Sequence, residues 1–179
     1  LYEIEVIGAA EAVCGLAWES GTCHEQFFGN GLGVSVRTDD PRMARWILRQ
    51  TGQVKELAQV RCVVVVGRTG NVAILSRGLN MRAVGEELVS RESERWFFDH
   101  RIQACLNGGH MDSHTAPTQI PVGVICALIR DKVIGPFLAE EERRRTGEPS
   151  EQRALPEARN DGRAQLGSAF ERAAQRRDG

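Results

Sequence analysis

The sequence predicts an α+β domain. Its mostly antiparallel sheet is built around two buried hairpins, with helices packed on its faces and a charged C-terminal helical arm. Three observations predict this. Residues 61–77 hold two apolar runs around Gly67-Arg68-Thr69-Gly70-Asn71, apolar on both strand faces, so both faces must be covered. Residues 120–138 repeat the pattern, with Arg130-Asp131-Lys132 as the turn. Residues 163–177 carry a narrow apolar stripe of Leu166, Phe170, Ala173 and Ala174 between arginines, and a helix of that length is marginal alone.

Taken in order, Leu1 to Ile7 alternates as a strand with one wet face. Ala9 to Trp18 has helical spacing, although Gly15 weakens it and leaves a continued strand open. Ser20 to Gly33 reads as an irregular loop punctuated by Gly29, Gly31 and Gly33. GLGVSVR (31–37) reads as a strand and lacks the full dinucleotide fingerprint, so no cofactor is indicated there. Asp39 to Gln50 is a helix with an Asp cap, Pro41 at its first position and Gly52 past its end. Asn80 caps a helix with Met81, Val84 and Leu88 on one face. Ser93 to Leu106 reads as a further helix, because Phe98, Ile102 and Cys105 fall at helical spacing and Asn107-Gly108-Gly109 stops it. Residues 139–146 form a short helix, and 147–162 a charged linker. The expected organisation is a core from 1 to 107, a linker at 108–119, a completing segment at 120–146 and the linker with its arm at 147–179.

Composition excludes several classes. Hydrophobic residues at 41% and charged residues at 26% fit an ordinary globular core. The net charge of −1 gives no global attraction to nucleic acid or an acidic membrane. No apolar run reaches the ~18 residues of a membrane span. The cations are almost all arginine, Lys55 and Lys132 being the lysines. Arg42, Arg45 and Arg49 form one helix stripe that can grip phosphates, but no stacking platform accompanies them and nucleic acid is not the expected partner. Five cysteines without CxxC spacing predict reduced thiols and a cytoplasmic setting.

Two candidate sites carry chemistry. Cys23 beside His24, in the glycine-rich loop, offers a catalytic thiol and base, although neighbours in sequence usually point apart. His110, Asp112 and His114 offer imidazole and carboxylate ligands to a metal within five residues. The run GHMDS (109–113) resembles the first zinc motif of the co-catalytic metallopeptidases. That resemblance implies His110 as a terminal ligand and Asp112 as a bridging one. The competing reading of Gly-Gly-His-Met is a linker or cloning junction, which would make the chain a fusion or a permutation. Residues 63–88 also resemble the middle of roadblock or profilin-like dimerisation domains.

Without a complete catalytic constellation, the expected function is a non-catalytic ligand-binding, regulatory or assembly domain. A homo-oligomer and a small-molecule ligand are its expected partners. The alternative is a small hydrolase, metal-dependent through His110, Asp112 and His114 or thiol-dependent through Cys23.

Overall fold

A computed structural model describes residues 12–21, 23–40, 42–50, 54–108 and 116–147. The chain divides into the units Leu1–Glu142 and Arg143–Gly179, and only 143–147 of the second lie among the described residues. The expected strand at 1–7, the metal candidates His110, Asp112 and His114, and the C-terminal arm lie outside the described residues.

The α+β class holds. Helix α1 spans 12–19. Strands β1 (His24–Phe28) and β2 (Gly33–Arg37) follow, then α2 (Met43–Arg49) and a 3₁₀ turn, Lys55–Leu57. Next come β3 (Cys62–Val66), β4 (Val72–Ser76), α3 (Arg82–Arg91), β5 (Trp96–Asp99) and β6 (Ala104–Asn107). Helix α4 (Val122–Ile129) continues through a π turn, Arg130–Ile134, into α5 (Gly135–Thr146). The six strands form one sheet in the order β1-β2-β3-β4-β6-β5. Among the described strands β2 and β3 pair in parallel and the other neighbours are antiparallel.

Strand β3 explains the architecture. All five of its residues are buried, because a helical layer covers each face. Cys62, Val64 and Val66 pack with Ile74, Cys105, Phe98 and the α3–α4 layer. Val63 and Val65 pack with Val34, Val36, Met43 and Ile47. The alternation of β2 differs: Val34 and Val36 are buried against α2, which leaves Ser35 and Arg37 on the opposite face. Helix α2 starts at Met43, later than the expected Asp cap and Pro41 start; its N-cap residue Arg42 makes no side-chain cap, and the Asp40 carboxylate accepts the Arg42 N–H at 2.9 Å. Asn80 does the same for Arg82 at 3.0 Å.

Three expectations need correction. Residues 120–138 are not a second hairpin but the helix α4 and its continuation. Ile125, Ile129 and Val133 are buried at four-residue spacing, and Arg130-Asp131-Lys132 lacks the glycine or asparagine that a tight hairpin turn wants. The π turn has a cause as well. Pro136 has no N–H to give the Lys132 carbonyl and crowds it, so the preceding turn widens, with the Gly135 N–H reaching the Arg130 carbonyl. Residues 96–107 are not a helix but the hairpin β5–β6. Trp96 and Phe98 alternate onto the core face, while Phe97 stays outside. Finally, the loop at 20–33 contains β1 and closes a hairpin with β2 through the turn at 29–32.

Glu92 ties the segment before α4 to the sheet. Its carboxylate accepts the Thr118 hydroxyl at 2.5 Å, the Gln119 N–H at 2.9 Å and the Trp96 indole N–H at 3.1 Å. Burial pushes this carboxyl up, but these hydrogen bonds and the Arg95 charge outweigh it and hold it below the usual range. A group depressed in the folded state stabilises fully above its ordinary value, near ~4.3, and loses that contribution as pH falls through the native value. Glu92→Gln should therefore cost about 1.5–3 kcal/mol at pH 7. Urea midpoints measured down the acid range should show the wild-type advantage shrinking. An advantage that stays constant into strong acid would contradict the assignment.

Candidate functional site

A cleft of about 600 Å³ opens between the β1–β2 end of the sheet and α4. Its position follows from the strand alternation. On the α4 face, β3 presents apolar Val64 and Val66, but β2 presents Ser35 and Arg37 and β1 presents His24 and Gln26. The boundary between dry core and polar cleft runs between β3 and β2. At Gly123 the α4 wall faces open space, since a Cβ built there meets nothing within 4 Å.

The register sets the floor. His24 stands opposite Arg37, Gln26 opposite Ser35, and Phe28 opposite Gly33. The side chain of Arg37 makes no hydrogen bond or ion pair among the described residues, whereas Arg42 is held by Asp40, Arg68 by Asp39 and Arg130 by Asp131. A second depression of about 450 Å³ shares His24, Arg37 and Val66 with the cleft and continues to Asp39 and Arg68. Both lie at the C-terminal ends of the parallel pair β2 and β3, where α/β sheets commonly hold ligands.

The sheet separates the expected catalytic pair. Cys23 is 3% exposed, belongs to the α1–α2 core and donates its thiol to the Ala17 carbonyl at 3.2 Å. Burial, and then the Glu25 charge, push that thiol up. His24 is exposed and lines the cleft on the other side. A protonated, buried thiol facing away from its base is a poor nucleophile. Cys126 reaches the cleft, but burial raises its pKa too, with a Ser35 hydrogen bond opposing. Burial takes Cys105 up to about 12. Among the described residues no group of three His, Cys, Asp or Glu is placed to hold a metal. Of the arginine stripe, Arg42 is bound to Asp40 at 2.7 Å.

Sequence reasoning found His24 for another role and missed Gln26, Ser35, Arg37 and Arg130. The signal for two of them was present: GVSVR alternates, so Ser35 and Arg37 must share a face.

Fold and site together define an α+β domain with a polar, helix-walled cleft at one end of its sheet. Comparison with protein-family models, curated proteins and solved structures gives no match. No helix among the described residues is long and apolar enough to cross a membrane.

Proposed function

We propose that this chain is a non-catalytic ligand-binding domain and that a small molecule occupies the cleft between β1–β2 and α4. One observation carries the reading. Hydrogen-bonding side chains of His24, Gln26, Ser35 and Arg37 converge on about 600 Å³ of space beside the apolar residues Phe28, Val122 and Ala127. That volume lies within the range of small-molecule sites, where convergent polar groups fix the ligand's orientation. The nearby thiols are held protonated by burial, which supports binding over covalent chemistry.

Protein-observed NMR against a library of neutral, anionic and cationic fragments tests this. Binders should move the amide signals of residues 24–28, 35–37 and 122–127, and Ala127→Trp, which fills the cleft, should abolish those shifts. Shifts scattered over the surface, or surviving in Ala127→Trp, would refute the proposal.

A further inference from the structure

Resting on that reading of the cleft, we propose that its ligand is a small oxyanion with an apolar body, a carboxylate or a phosphate ester, whose charged end is held by Arg37. The argument starts from pairing. Two arginines line the cleft: Arg130 is held by Asp131, whereas Arg37 has no carboxylate within ion-pair distance among the described residues. The register sets Arg37 directly opposite His24, whose imidazole carries a ring N–H donor. An oxyanion between them accepts from both, and a guanidinium fork matches carboxylate and phosphate alike.

The helix wall agrees in direction. Cys126 meets Ser35, and Ile134 lies where a Cβ on Gly29 would stand. Helix α4 therefore begins near Arg37 and runs toward the β1–β2 turn. Val122 and Gly123, which line the cleft, are the first two residues of α4 and their own N–H groups have no intrahelical acceptor, whereas Val124 and Ile125 donate to the Pro121 carbonyl. The N–H groups of Val122 and Gly123 add donors and partial positive charge at the Arg37 end. Away from that end, Gln26 and Ser35 offer neutral hydrogen bonds, and Phe28 offers an apolar face beside Gly33. From His24 to Phe28 the strand spans about 13 Å, at about 3.3 Å per residue. The cleft thus has an unpaired guanidinium at one end and, a small molecule's length away, Phe28 beside an Arg130 whose charge is offset by Asp131. Glu25 lies at the edge of the cleft, but it pairs with Val36, which packs into the opposite layer.

The test is an NMR titration of the full chain with phenyl phosphate, phenylacetate and benzyl alcohol. These share a ring and differ in the headgroup. At least one anion should saturate the shifts of residues 24–28, 35–37 and 122–127, with an affinity at least about tenfold above that of benzyl alcohol. Which anion leads distinguishes a phosphate from a carboxylate ligand. Arg37→Gln should weaken that anion about tenfold, the loss of one charge-assisted contact. Arg101→Gln, in the β5–β6 loop, should leave it unchanged. Benzyl alcohol binding the cleft as well as the anions would overturn the oxyanion assignment and leave the ligand site standing. Anion binding indifferent to Arg37→Gln, or equally weakened by Arg101→Gln, would also overturn it. If neither these probes nor any library fragment moves the cleft signals, both readings fall.

Discussion

Ile125→Ala and Ile129→Ala should each lower the unfolding free energy by about 2–5 kcal/mol, the usual range for truncating a buried isoleucine. Val124→Ser, one residue away, should stay within about 1 kcal/mol, as partly exposed positions do. Ile125 and Ile129 are 0% exposed and sit in the cluster formed by β3, β4, β6 and α3, while Val124 is 39% exposed. The pattern of losses reads out the secondary structure. In a helix, positions 125, 129 and 133 share the buried face. In a doubly buried strand, 124 would lie as deep as 125, and its truncation would cost as much. Chemical denaturation of the three variants therefore tests whether this segment covers the sheet or belongs to it. Equal losses at 124 and 125 would restore the strand.

That segment also shows why the sheet was partly legible and the cleft was not. Cys62 to Val66 could be recognised because a run of four valines after a cysteine, between turn residues, has few alternatives. Val122 to Ile129 is apolar nearly all round, and for such short runs periodicity does not separate a buried strand from a buried helix. Residues 96–106 failed for the converse reason. Phe98, Ile102 and Cys105 satisfy helical spacing, but Trp96 and Phe98 equally satisfy alternation, and the sheet edge beside β4 selects the strand. The cleft depends on these long-range outcomes. Its floor was written in the alternation of GVSVR, but its wall exists only once α4 is a helix. The adjacency of Cys23 and His24 was visible in the chain, yet adjacent residues of an extended strand face opposite ways, and here a whole sheet lies between them.

The second large effect is expected at Gly29. This residue has φ +57°, and a Cβ placed on it would lie 2.7 Å from Ile134 Cδ1 and 3.1 Å from Ile134 Cγ2. Two costs therefore add. A β-branched residue held in the left-handed region loses about 1–2 kcal/mol, and forcing new carbons against a filled core adds about 1–3 kcal/mol. Relief on the Ile134 side is poor. Ile134 is 1% exposed and lies in the π turn, so moving its Cγ2 methyl means turning the widened stretch of helix that Pro136 imposes. Gly29→Val should thus cost about 2–5 kcal/mol. Gly31, also at positive φ (+82°) but with nothing within 4 Å of a built Cβ, isolates the backbone term, and Gly31→Val should cost only about 1–2 kcal/mol. The double variant Gly29→Val with Ile134→Ala separates the two costs at Gly29. Removing the isoleucine makes room for the new side chain, so the combined loss should fall short of the sum of the single losses by at least about 0.5 kcal/mol. Urea unfolding of the three single variants and the double variant measures this directly. Strict additivity would mean that the β1–β2 turn and the π turn do not touch, and with that the far wall of the cleft would lose its support.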